Sequence, residues 1–249
     1  DISHKSMSDS QVGATKGRNI RNNLFVLNSI IHDVKQNKRD PIDLQIYDVR
    51  KCFDELDVEE CCNDLFEAGV NDDKLNMIYE TNQTNNMAVH VPGLGLTERV
   101  EVKNTVTQGG PLGPTMCAIH IDKIGKEALQ RENYIYKYKD SVNIPPLSMI
   151  DDVLAVAKCG VESVETNSYI NSQFELKKLY LNESKCHYIH VGRENICCPQ
   201  LKAHQNNIAK VTSDKYLGDL ISADGKNALN MKAKADLGFG SINNIMNIL

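Results

Sequence analysis

The run Ser148-Met149-Ile150-Asp151-Asp152-Val153-Leu154-Ala155-Val156 limits what this chain can be more than any other stretch. It is apolar and strand-forming on both sides of two adjacent carboxylates. Burying an unpaired carboxylate is very costly, so a fold tolerates the pair only at a tight turn or beside cations. Asp-Asp is also common in hairpin turns, and taken alone the pair fits either description.

A third carboxylate narrows the choice. Ile42, Leu44 and Ile46 alternate with Asp43, Gln45 and Tyr47, which predicts a strand. Period-two parity puts Asp48, at the end of that strand, on the face of Ile42, Leu44 and Ile46. A carboxylate on a buried face wants a compensating cation. Beside Asp151, Asp48 would offer hard oxygen ligands suited to Mg²⁺, which takes few protein carboxylates and completes its shell with substrate phosphates. Two such ions about 4 Å apart can clamp the attacking and leaving oxygens of an in-line displacement.

The rest of the chain is consistent with an α+β fold holding a mixed or antiparallel sheet. Ile20, Leu24, Leu27, Ile31 and Val34 recur at helical spacing, predicting an amphipathic helix over 18–36 that Asp40-Pro41 breaks. Asp57 and Glu60 mark the start of a second helix, and Gly69 its end. Strands are expected at Met87 to Val91 and Arg99 to Val106. A helix with Cys117, Ile121, Ile124 and Ala128 on one face follows Pro111. Tyr134, Tyr136 and Tyr138 alternate as a strand. A helix over 163–180 leads to strands at 185–191 and from Tyr216 to Ile221.

Composition excludes some classes. Hydrophobic residues make up 41% and charged residues 24% of 249, ordinary for a globular core and unlike a disordered chain. No run approaches the roughly 18 apolar residues of a membrane span. The net charge of −5 is wrong for nucleic-acid binding by bulk charge. Its distribution matters more: residues 1–40 carry 7 basic and 4 acidic side chains, residues 41–80 carry 3 and 12. An acidic block beside a basic one fits a metal centre flanked by a polyanion track, and equally fits solvated helix faces. The 8 cysteines form no C-x-x-C pair. Cys61 and Cys62 fall on a helical apolar stripe with Val58, Leu65 and Phe66, which reads as reduced packing in an intracellular compartment, nuclear or cytoplasmic. Cys186, His187, His190, Cys197, Cys198 and His204 match no zinc spacing.

Six ordered segments carry a resemblance. Asp48 with Phe53, then Gln108-Gly109, then Asp151-Asp152 resemble motifs A, B and C of reverse transcriptases, above all those of non-LTR (LINE-like) retrotransposons. Gln11-Val12-Gly13-Ala14-Thr15-Lys16-Gly17-Arg18 resembles the Q-x-G-x-x-x-G-R segment that precedes motif A. Leu181-Asn182 to Lys185 resembles motif D, and Tyr216-Leu217-Gly218 resembles the primer-grip strand. The resemblance covers nearly the whole chain.

It implies a right-hand polymerase palm: an antiparallel sheet with packed helices. Residues 1–222 would form palm and partial fingers, and 223–249 the start of a thumb. It implies an RNA-directed DNA polymerase working on RNA template, DNA primer and deoxynucleoside triphosphates through two Mg²⁺ ions, or Mn²⁺, with no membrane partner. Asp48, Asp151 and Asp152 would be catalytic metal ligands, with the Val49 carbonyl on the second ion. Phe53 would be the steric gate against a ribose 2′-hydroxyl, or else a core phenylalanine. Gln108 and Gly109 would hold the nucleotide sugar. Lys185 would meet the triphosphate, or else be an exposed strand lysine. Lys16 and Arg18 would touch template phosphates, or else form a plain basic loop.

The chain also departs from the family. Met149 and Ile150 stand where an aromatic and a small or Met residue usually precede the aspartates, so Ile150 is expected to project toward the primer end. No fingers hairpin fits before Gln11, so the resemblance implies a longer parent chain with further fingers upstream and thumb downstream. The alternative is a decayed or domesticated palm that only binds nucleic acid or a partner.

Overall fold

The computed structural model describes residues 6–103, 106, 110, 112–131, 134–193 and 200–225. Asn19 opens α1 (Ile20–Gln36), its side chain accepting from the Arg21 N–H. Beyond Pro41 the chain enters β1 (Ile42–Tyr47), which is buried at every position. After the single turn of α2 (Cys52–Glu55), Asp57 caps α3 (Val58–Glu67) by accepting from the N–H groups of Glu59 and Glu60. Next come α4 (Asp72–Gln83) and the strands β2 (Thr84–Met87), β3 (His90–Val91), β4 (Gly95–Leu96) and β5 (Val100–Lys103). These strands nest as two antiparallel ladders, β3 with β4 inside β2 with β5.

The second half begins with α5 (Gly113–Gln130) and a hairpin of β6 (Tyr136–Tyr138) and β7 (Val142–Ile144). A second hairpin, β8 (Leu147–Met149) and β9 (Asp152–Lys158), precedes α6 (Val161–Leu176) and β10 (His187–Val191). The described part ends with β11 (Lys202–Ala203), β12 (Asn206–Asn207), β13 (Ala209–Val211), β14 (Ser213–Tyr216) and β15 (Asp219–Ser222). No helix among the described residues is long and apolar enough to cross a membrane.

Five strands form the central sheet in the order β13-β10-β1-β9-β8, antiparallel except for β10 with β13. β1 lies in the middle, with Ile46 opposite Leu154 on one side and His187 on the other. Its alternation serves two cores. Ile42, Leu44 and Ile46 join Leu154, Val156, Ile189 and the apolar face of α1. Tyr47 joins Val153, Ala155, Tyr188 and residues of α5 and α6 on the opposite face. That second face also buries a chain of polar groups that satisfy one another. Gln45 Nε2 donates to the carbonyl and hydroxyl of Ser163, Tyr47 OH donates to Gln45 Oε1, and Asn167 donates to Tyr47 OH.

The expected α+β class with an antiparallel-rich sheet is what forms, with corrections. The stretch from Tyr216 to Ile221 is not one strand: Leu217 and Gly218, at φ 51° and 80°, make a two-residue turn between β14 and β15. Both central residues lie at positive φ, the type I′ arrangement that suits a right-handed strand twist. α4 was not expected, because only Ile78 and Asn82 of its residues are buried and the apolar stripe is too thin to read. The division at 222/223 falls at the end of β15, and residues 226–249 lie outside the described residues.

Candidate active site

β8 and β9 pair with Met149 opposite Asp152, leaving Ile150 and Asp151 as the two-residue turn. Only Ile150 of the two has positive φ, 58°. A turn bent this way favours glycine first, and a β-branched residue there is a genuine outlier. Holding one residue in such a conformation costs about 1–3 kcal/mol and needs support from its surroundings. Asp151 thus stands at the tip of the hairpin, and Asp152 opens β9.

Across β1, Tyr47 pairs with Val153, so Asp48 leaves its strand beside Asp152. Both follow the parity of the α1-facing residues, as expected for Asp48. They line one wall of an open cavity of about 340 Å³, with Lys185, His187, Tyr216 and Gly218 around it.

The three carboxylates are poorly compensated. Asp48 is half-buried, with Oδ2 3.3 Å from the exposed Lys185 Nζ. Burial pushes the Asp151 carboxyl up, and the charge of Asp48 adds to this, opposed by its own backbone N–H and by Lys185. Asp152 keeps an exposed side but is pushed up to about 6, first by lost water, then by Asp151 and Asp48, with Lys185 opposing. Among the described residues, Lys185 is the cation that counters these shifts.

The other expected residues fall in different places. Val49 bridges Leu181, flanked by the bonds Asn182 N–H to Asp48 O and Arg50 N–H to Tyr180 O. In that pattern Val49's own N–H and C=O face the other way, toward the β9 side. Phe53 is half-buried, its ring edge 3.6 Å from where a Cβ on Gly113 would lie. Lys185 sits in a turn before β10, its N–H donating to the Asn182 carbonyl. Tyr216 is buried and its hydroxyl donates to the Leu147 carbonyl, fixing the 217–218 turn across the cavity from the aspartates. Gln108 and Gly109 lie outside the described residues.

Two basic candidates separate. Lys16 is exposed. Arg18, expected at template phosphates, is turned inward: its guanidinium donates to the carbonyls of Met7, Ser8 and Gln11 and pairs with Asp9 at 2.7 Å. Only 15% of its side chain is exposed, so it folds the entry loop.

The cysteine–histidine group of the sequence disperses. Cys186 lies under the Asp48 carbonyl, His187 meets Asp214, and His204 Nε2 accepts from the Leu181 N–H. Cys197 and Cys198 lie outside the described residues. His190 instead meets a residue far away in sequence. Asp43, Cys159 and His190 bring possible ligand atoms within 4.8 Å of one another at the opposite end of the sheet. Both imidazole nitrogens already have partners there, Nδ1 at Asp43 and Nε2 at the Arg193 carbonyl, so the group reads as a buried cross-strand pair.

One residue of the site was missed as such. Gln11, fully buried, runs beside β8 in a parallel bridge with Ser148, and its side-chain amide reaches the backbone of Ile150. The Q-x-G spacing was visible, but nothing in it pointed to the Asp-Asp turn.

The model of the family "Reverse transcriptase (RNA-dependent DNA polymerase)" matches residues 1–220. A curated relative is the retrovirus-related Pol polyprotein from type-1 retrotransposable element R2 of Popillia japonica, 24% identical over 212 residues. That match covers 80% of this chain, which spans only 30% of the relative's length. Among solved structures, apo telomerase from Candida tropicalis, truncated from its C-terminal domain, aligns over 90% of this chain and 41% of its own at a TM-score of 0.58. Telomerase from Candida albicans, complexed with a fragment of telomeric RNA, aligns over 90% and 34% at 0.55. Both are 13% identical to this chain and show a shared fold, the α+β polymerase palm.

Proposed function

This chain belongs to the reverse transcriptase (RNA-dependent DNA polymerase) family, and we propose that it forms the polymerase centre of a non-LTR retrotransposon protein, extending a DNA primer on an RNA template. The observation that carries this reading is the gathering of Asp48 and Asp152 on one cavity wall, with Asp151 beside them in reach of their charge and Lys185 as counter-charge to all three. Such a surplus of enclosed negative charge suits hard divalent cations, Mg²⁺ first and Mn²⁺ as its substitute, with the Val49 carbonyl as a further oxygen. Bound there, these ions would supply the positive charge that activates the primer hydroxyl and stabilises the leaving pyrophosphate.

The chain's own residues do the rest by position. Lys185 presents an exposed ammonium beside Asp48, placed to meet the phosphates of an incoming nucleotide and to give a proton from Nζ to the departing pyrophosphate. Phe53 packs its ring near the start of α5, where it would crowd a ribose 2′-hydroxyl and favour deoxynucleotides. The Tyr216-Leu217-Gly218 turn faces the carboxylates across the cavity, where a primer strand would be held. Positioning and charge neutralisation supply most of the rate in phosphoryl transfer, so each carboxylate matters.

Primer extension tests this. The full-length protein, given an RNA template annealed to a DNA primer, deoxynucleotides and Mg²⁺, should elongate the primer. Asp48→Asn and Asp151→Asn should give no extension while keeping the circular dichroism of the parent. Undiminished extension by Asp151→Asn would remove the carboxylates from the chemistry.

A further inference from the structure

The strained residue at the tip of the Asp-Asp hairpin does not hold its conformation alone. Ile150 sits at φ 58°, where a branched side chain is disfavoured, directly before Asp151. Gln11 Oε1 accepts from the Ile150 N–H at 2.9 Å, and Gln11 Nε2 donates to the Ile150 carbonyl at 3.2 Å. The N–H belongs to the peptide plane before the Ile150 Cα and the carbonyl to the plane after it. One side-chain amide therefore holds both planes, and with them both backbone dihedrals of Ile150. The second plane is the central peptide of the turn, the one whose rotation would swing Asp151 to another direction.

The amide is itself well held. Gln11 Oε1 also accepts from the Gly13 N–H at 2.9 Å, and Nε2 also donates to the Ala118 carbonyl of α5 at 3.3 Å. The backbone on either side is stitched to β8, Val12 N–H to Ser148 O and Ser148 N–H to Ser10 O. Gly13 completes the fit by having no side chain. A Cβ there would lie 2.6 Å from both the nitrogen and Cγ1 of Ile150, closer than such atoms ever come. Ile150 packs its side chain over this glycine.

We propose that Gln11 and Gly13 are positioning residues for the catalytic carboxylates, clamping Ile150 in its left-handed conformation so that Asp151 and Asp152 face Asp48. This rests on the metal-binding reading of those three aspartates. It gives the Q-x-G segment a physical task that neither its basic residues nor its distance in sequence from the hairpin suggests.

Mn²⁺ binding, followed by electron paramagnetic resonance, tests the clamp without depending on polymerase activity. The parent chain should bind Mn²⁺ and Asp48→Asn should not. Gln11→Ala, folded by circular dichroism, should weaken binding roughly tenfold or more, as loss of a residue supporting metal ligands does. The decisive arm is Ile150→Gly, since glycine adopts positive φ without help. In that background, Gln11→Ala should change Mn²⁺ affinity by less than about threefold, because the residue it supports no longer needs support. Equal weakening in both backgrounds, or binding by Gln11→Ala equal to the parent, would overturn the proposal while leaving the metal site standing. Failure of the parent to bind Mn²⁺ would overturn the metal-binding reading and the clamp with it. Should Gln11→Ala not fold, Gln11→Glu serves instead: it keeps the acceptor for Ile150 and loses both donated bonds, and it should show the same dependence on residue 150.

Discussion

Asp64 and Asp151 are both acids enclosed by the same core, yet their surroundings treat them oppositely. Asp64, on α3, is 4% exposed, and His120 Nδ1 and Lys123 Nζ each approach it to 2.5 Å, with Lys177 Nζ at 3.6 Å. Burial pushes its carboxyl up, but the His120 hydrogen bond and the lysine charges outweigh that, and the net shift is downward. Asp151 and Asp152 have other carboxylates for neighbours and Lys185 for relief, and both shift upward. Asp64 is a finished structural joint between α3, α5 and the end of α6. The hairpin aspartates are unfinished, and what they lack is positive charge.

The contrast breaks first at the hairpin. Asp151→Asn should lower primer extension by about 10³ or more, the scale set by loss of a preorganised electrostatic group. Its urea midpoint should stay unchanged or rise, because one of three repelling carboxylates has gone. A loss of stability equal to the loss of rate would make Asp151 a joint like Asp64.

Asp64→Ala should do the reverse. Removing one partner from a buried charged network typically costs about 3 kcal/mol, since the remaining charges are stranded. Urea unfolding should show this, and Mn²⁺ affinity should hold in the folded variant. A smaller test adds cation to both sites. Mg²⁺ at ten times its dissociation constant should stabilise the parent by about 1.4 kcal/mol, visible as a rise in Tm. Asp48→Asn should not respond, and Asp64→Ala should respond as the parent does.

The smallest expected effect is the acid limb. Asp64 titrates below its ordinary 3.8 in the folded chain, so its stabilisation is complete above that value. It is lost as pH falls through the lowered folded value, because the unfolded chain takes the proton first. Stability measured from pH 5 downward should therefore fall less steeply in Asp64→Ala than in the parent.

The sequence disclosed one of these two sites and hid the other, for a physical reason. Asp48 and the Asp151-Asp152 pair violate a local pattern, since a carboxylate on an apolar strand face is visible within a few residues. Asp64 violates nothing: it sits on an amphipathic helix among other acids, and its partners come from α5 and the residue after α6. No periodicity joins positions so far apart. Gln11 was hidden in the same way, because its task is done on the backbone of a residue in another segment. The hairpin at Leu217-Gly218 was legible in principle from its glycine, but the apolar residues around it read more strongly as a continuous strand.

The register of β1 has a consequence for how the chain folds. Its partners β9 and β10 lie roughly a hundred residues or more further along, so every pairing that sets Asp48 beside Asp152 closes a long loop. Topologies built on such distant pairings fold slowly, since chain entropy is lost before the contacts repay it. Asp48 emerges early in synthesis and waits for most of the chain before Asp151 and Asp152 exist. A chain halted short of β9 lacks Asp152 and its hairpin, so the proposed metal centre can form only once translation has passed the third motif.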